Sequence, residues 1–139
     1  MGVAGTGVGG AAVRVILDSS SLIEYAHGSV YVGALLASVT ETTGVLRVPV
    51  AALAQAWMQT HADNRYRLEY LAVATPVKLD SLDADNLFDV ATVAADCQND
   101  GLPLAHTIYL ARLHREPVVT GDPGVYQKRY PDVAVEALP

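Results

Sequence analysis

Asp18 and Asp122 each stand at the end of a short apolar run, Asp18 after VRVIL and Asp122 after VVTG, near opposite ends of a 139-residue chain. A carboxylate in that position commonly caps the helix that follows. Two of them suit a second task. Carboxylates brought together from separate elements hold hard divalent cations such as Mg²⁺ or Mn²⁺, and such an ion activates water and neutralises a phosphate. Two other aspartate chemistries fit less well. A phosphotransferase with an aspartate nucleophile of the haloacid-dehalogenase type needs a second aspartate two positions on, where this chain has Ser20. A receiver-type phospho-acceptor domain needs adjacent acidic residues after the first strand, and none stand there.

The elements that must position these residues follow from apolar spacing and turn residues. Strands are expected over 13–17, 45–48, 77–79, 118–120 and 133–135. Helices are expected over 19–26 and 30–42, split by His27-Gly28-Ser29, then from Pro49 to about residue 60, and over 63–72, 83–98, 103–114 and 124–129. Pro103 is expected at the first position of its helix. Strands alternating with helices imply crossover connections, hence an α/β fold in three α/β/α layers with a mostly parallel central sheet. In such sheets ligands bind beyond the carboxyl ends of the strands. Asp18 and Asp122 both fall there.

Composition bounds the rest. Half the chain is hydrophobic (51%) and 17% is charged, an ordinary globular balance. No apolar run reaches the length of about 20 residues needed to cross a bilayer, so a soluble protein is expected. The formal charge of −6 and pI near 5.0 argue against coating nucleic acid by charge alone, and leave room for a nuclease with a local basic patch or a bridging ion. Cys97, the single cysteine, has no partner for a disulfide; it reads as a packing residue in a reducing cytoplasm. Residues 1–12 read as a flexible Gly/Ala-rich tail and 13–139 as one domain. Gly5, Gly7 and Gly10 spell a dinucleotide-binding pattern, but they precede the first strand instead of following it. Met1-Gly2 with Thr6 matches a loose myristoylation pattern that nothing else supports.

Taken together, VILDSSSLIEY, a proline-led helix carrying Gln55, HTIYLARLHREPVVTGDP and a final short strand resemble the PIN-domain family. The likeness is nearest to its VapC-like toxin ribonucleases and covers about residues 13–136. It implies a single PIN-like domain that hydrolyses RNA phosphodiesters in line with water activated on Mg²⁺ or Mn²⁺. By this resemblance the family's first and last acidic positions fall on Asp18 and Asp122, the metal-holding pair. Its second, normally Glu, falls on Gln55; its third, normally Asp, falls on His106; Thr120 matches a hydroxyl that supports the carboxylates. Replacing two of four carboxylates cuts the formal site charge from about −4 to −2, and each lost charge at about 4 Å forfeits up to roughly 4 kcal/mol of attraction for a cation.

Two functions therefore stand side by side: a PIN-type ribonuclease of weak activity, toxin-like and restrained by an antitoxin, or an inactive binding or regulatory module acting through a protein or RNA partner. An imidazole near two carboxylates would stay protonated and compete with a cation, so metal affinity is expected to rise as His106 loses its proton. Glu24 and Asp96 are either substitute carboxylates or solvated helix positions. NRYRLEY and YQKRY interleave cations with aromatics, as phosphate contacts with base stacking do, or else are amphipathic helices with a solvated face. The small-residue face at 34–37 and the Trp57-Met58 region are candidate surfaces for a homodimer or partner. No membrane association is expected.

Overall fold

The computed structural model describes residues 12–96 and 101–139. The readings on residues 1–11, on Cys97 and on the end of the helix expected over 83–98 lie outside them. The chain runs β1 (Arg14–Leu17), α1 (Ser19–Ala26), α2 (Val30–Glu41), β2 (Val45–Pro49), α3 (Val50–Gln59), a 3-10 turn (Ala62–Asn64), α4 (Arg65–Ala72), β3 (Val77–Asp80), α5 (Leu87–Asp96), α6 (Gly101–His114), β4 (Val118–Thr120), α7 (Pro123–Arg129) and β5 (Val135–Ala137). All four strand pairings are parallel, in the order β3-β2-β1-β4-β5. The chain thus starts in the centre, moves outward through β2 and β3, then returns to the other side of β1 as β4. The β1/β4 boundary is where strand order reverses, and Asp18 and Asp122 follow the two strands that flank it.

Period-two alternation divides the buried residues between two cores. Val15 and Leu17 of β1, Leu46 and Val48 of β2 and Val119 of β4 face one side, packed by Leu22, Val32, Val39, Ala52, Ala56 and Leu68 from α1 to α4. Ile16 and Val118 face the other, against Ile108, Leu110 and Ala111 of α6 and Tyr126 and Tyr130 of α7 and its end. Each aliphatic side chain removed from water contributes roughly 1.5–3 kcal/mol. This is the three-layer α/β/α arrangement. Gly44 allows β1 and β2 to approach: a Cβ there would overlap the Val13 carbonyl oxygen.

The second face is apolar only over part of the sheet. Arg47 of β2 points there and is buried, where it donates to Glu116 Oε1 (2.9 Å) and to Asp80 Oδ2 (2.9 Å). Arg14 Nε donates to Glu116 Oε2 at 3.1 Å. Burial opposes the Glu116 charge, but hydrogen bonds from Arg47 and then Arg14 outweigh it and hold the carboxyl below its ordinary range.

Among the boundaries that differ from the expected ones, three do so for local reasons. Helix α5 starts at Leu87, because Ser81, Asp83 and Asn86 close a turn through Ser81 Oγ to Asp83 (2.7 Å) and Asp83 N to Asn86 Oδ1 (2.9 Å). Helix α6 starts at Gly101, so Pro103 sits inside the first turn, where its missing N–H has no partner to lose. Strand β5 lies two residues later than expected; its register is set by pairing Val118 with Val135. Among the described residues no single helix is long and apolar enough to cross a membrane.

Candidate active site

Asp18 is both cap and site residue. It is the N-cap of α1, with Oδ1 accepting from Ser21 N at 2.9 Å. The same oxygen accepts from Ser20 Oγ at 2.7 Å, and Oδ2 accepts from the buried Tyr126 hydroxyl at 2.7 Å. An ionised carboxylate has about four acceptor positions, so three bonds leave one, on Oδ2. The carboxylate is fixed in orientation and nearly saturated. Burial, then the charges of Asp18 and Asp122, push the Tyr126 phenol far above its ordinary value, so it remains a donor at every working pH.

Thr120 and Ser20 tie the two strand ends together. Ser20 Oγ gives its one proton to Asp18, so at the 3.1 Å contact between Thr120 Oγ1 and Ser20 Oγ the threonine must donate. Thr120 Oγ1 in turn accepts from Asp122 N at 3.0 Å, and Ser20 Oγ accepts from Gly121 N at 2.8 Å. Directed hydrogen bonds thus run from the Asp122 backbone through Thr120 and Ser20 to the Asp18 carboxylate. Asp122 precedes α7 without making a side-chain cap bond, so its exposed carboxylate is not committed to the helix. Gln55 Oε1, from α3, accepts from Ser19 Oγ at 2.7 Å.

These groups open onto a single cleft of about 280 Å³ lined by Asp18, Ser19, Ser20, Gln55, Leu104, Thr107, Asp122, Val125 and Tyr126. Asp18, Gln55 and Asp122 therefore share one space at the carboxyl edge of β1 and β4, with Thr120 behind them. His106 does not line it. Helix α6 turns Leu104 and Thr107, one turn apart, toward the cleft, and the helical advance of about 100° per residue carries residue 106 to the far side. The ring is fully buried and neither nitrogen makes a hydrogen bond of good geometry. Burial pushes its pKa below the ordinary value, against the opposing influence of Asp80, the Ser81 backbone and Asp83. An imidazolium competing with a cation between Asp18 and Asp122 is not what this position offers, and the residues α6 gives to the cleft are Leu104 and Thr107.

Sequence reasoning missed Ser20, Tyr126 and Leu104. Ser20 was legible in DSSS, since a hydroxyl two residues past a strand-end aspartate can reach back to it. Tyr126 had a weaker signal, one helical turn past Asp122. Leu104 had none, because an apolar residue opening a helix reads as core. Glu24 stays exposed near Gly121 and Asp96 is exposed; neither lines the cleft.

The carboxylate oxygens of Asp18 and Asp122 suit a hard cation held largely through water. Among the described residues no three His, Cys, Asp or Glu side chains converge. The residues fit Mg²⁺ or Mn²⁺ loosely and a nitrogen- or sulfur-preferring ion poorly.

No protein-family model matches the sequence, and no curated protein matches it. Solved structures do. The chain superposes on a crystal structure of VapBC2 from Rickettsia felis, bound to a DNA fragment from its promoter, with a TM-score of 0.64 and 14% identity over 91% of this chain and 100% of that one. VapC20 of Mycobacterium tuberculosis, a toxin that cleaves the sarcin-ricin loop, matches with a TM-score of 0.59 and 14% identity, covering 83% and 95%. The fold is that of a VapC-like PIN domain. FitAcB from Neisseria gonorrhoeae superposes less closely, with a TM-score of 0.50 and 17% identity over 87% and 95%. At these identities the PIN fold is what is shared. Within it, the cleft of this chain carries Gln55 and Leu104 beside its two aspartates.

Proposed function

We propose that this chain is a PIN-type, metal-assisted ribonuclease of low activity. The observation that carries the reading is the convergence of Asp18, Gln55 and Asp122 on one cleft at the strand-order reversal, with Asp18 oriented by three donors. A Mg²⁺ or Mn²⁺ ion bound there would supply positive charge for a phosphodiester and lower the pKa of water. The protein's share is positional. Ser20 and Tyr126 hold Asp18 so that it presents one lone pair of Oδ2, and Thr120 fixes the Asp122 backbone. Ser19 turns Gln55 Oε1, and hence leaves its amide group to donate toward a phosphate. Leu104 and Val125 supply apolar walls that limit water.

The same geometry accounts for low activity. Two carboxylates leave an ion less tightly placed than four, and hydrolysis rate depends on that placement. Gln55 and Leu104 also favour a second reading, an inactive module that binds RNA or a protein with the same cleft. An antitoxin-type protein partner, a homodimer and a cytoplasmic location are parts of the proposal. A protein partner is supported by exposed apolar side chains on several helices, among them Val30, Met58 and Phe88.

Purified protein incubated with single-stranded RNA and either ion decides between the readings. Slow cleavage that EDTA stops and Asp18→Asn abolishes is expected. No cleavage under any ion condition, with RNA or protein binding retained, would establish the inactive module.

A further inference from the structure

Of the two cation-and-aromatic motifs, YQKRY lies beside the cleft. Its tyrosines are not available for stacking: Tyr126 and Tyr130 are buried, with ring centroids 6.4 Å apart. Its cations are exposed. Lys128 and Arg129 stand in the last turn of α7 and, with Gly124 and Val125 one turn earlier, line a hollow of about 320 Å³. That hollow shares Asp122 and Val125 with the active-site cleft, so the two adjoin.

The placement of the other cations sharpens this. Of the nine Lys and Arg in the sequence, Lys128 and Arg129 are the two that line either hollow. Lys78 belongs to the edge strand β3, and Arg115 lines a different hollow with Glu116 and Asp132. A chain of net charge −6 repels a polyanion, so a strand can be held only by local cations. Basic residues at a helix C-terminus also complement its dipole, but that role does not require them to border the cleft.

We propose that Lys128 and Arg129 form a phosphate subsite that binds the backbone of single-stranded RNA beside the scissile phosphate. Lys128 lies six positions after Asp122, about 9 Å along the axis of α7, a span one strand bridges while its scissile group stays in the cleft. The two cations select a polyanion without reading bases, so the subsite sets affinity and register and carries no sequence preference. This rests on the ribonuclease reading for its substrate, and its test does not depend on cleavage.

The experiment measures binding of a fluorescent single-stranded RNA to the full chain in EDTA, across a salt series. Lys128→Glu with Arg129→Glu is compared with wild type, with the neutral pair Lys128→Gln and Arg129→Gln, and with Lys78→Glu as a distant charge reversal. The reversal is expected to weaken binding at least about tenfold. The neutral pair is expected to lower the slope of log affinity against log salt by about 1.4, the share of two phosphate contacts on a single strand. Lys78→Glu should do neither, and circular dichroism should show all variants folded. Wild-type affinity and salt slope in the folded neutral pair would overturn the subsite even if the protein cleaves RNA. A wild type that binds polyglutamate but no RNA would overturn it in favour of an acidic protein partner. Loss of binding in the reversal sustains the subsite even if no cleavage is ever detected.

Discussion

Asp18 shows how one side chain serves structure and site together. It caps α1 and takes donors from Ser20, Ser21 and Tyr126, leaving a single acceptor position for anything in the cleft. Tyr126→Phe removes one hydrogen bond to a charged, largely buried group, so a loss of about 1.5–3 kcal/mol in urea unfolding is expected. A change below about 0.5 kcal/mol would show that water replaces the phenol without cost. The geometry of α6 leads to a second expectation. Gln55→Glu with Leu104→Asp restores two carboxylates to the cleft and should raise Mg²⁺ affinity in calorimetry by at least about tenfold, given up to roughly 4 kcal/mol per charge before solvent screening. His106→Asp in place of Leu104→Asp should give no such gain and should lower the melting temperature, because it buries a carboxylate with no donor placed to meet it. Equal Mg²⁺ affinity for the two double variants would mean that position 106 does reach the ion.

At the scale of elements, the second face of the sheet is held by charge where its neighbours are held by aliphatic packing. Arg47 joins β2 to β3 through Asp80 and to the approach of β4 through Glu116. Replacing it with methionine keeps much of the volume, strands Asp80 and leaves the buried Glu116 with Arg14 alone, so Arg47→Met should cost about 3–5 kcal/mol. Arg47→Met combined with Glu116→Gln and Asp80→Asn removes the stranded charges and should recover most of that loss. Thermal and urea denaturation of the single and triple variants separate these outcomes. A triple variant no more stable than the single one would show that the network does more than neutralise its own members.

For the molecule as a whole these buried groups set acid stability. The folded His106 resists protonation, because burial holds its pKa below the ordinary 6.5 while the unfolded ring titrates normally. As pH falls through 6.5 the unfolded state gains a proton that the folded state does not, and stability declines. Glu116 behaves as a depressed carboxyl: its contribution is complete above the ordinary 4.5 and is lost as pH falls through its lower folded value. The melting temperature should therefore begin to fall below about pH 6.5 and fall more steeply below about 4.5. His106→Gln should flatten the first segment and leave the second. The comparison is of slopes, since the substitution itself shifts the overall level. An unchanged slope between pH 7 and 5 in His106→Gln would assign that segment to other groups.

The order of strands and helices, the parallel sheet and the placement of Asp18 and Asp122 at its carboxyl edge were legible in the sequence, because each depends on short-range pattern. Apolar runs of four or five residues between helical segments fix strand positions, and a strand-end aspartate is visible as such. Gln55 was also legible through the resemblance, and it does line the cleft with the two aspartates. What the tertiary structure decided was rotation and partnership. One residue of helix rotates a side chain by about 100°, so the difference between Leu104 and His106 is the difference between cleft and core. A family-like pattern read along the line does not carry that angle. Nor could any local signal show that Tyr126 meets Asp18 from across the chain, or that Arg47, a charge inside an apolar strand, finds Asp80 at the end of β3 and Glu116 just before β4. Those contacts form only when crossover connections stack distant segments on a common sheet, which sequence spacing alone does not specify.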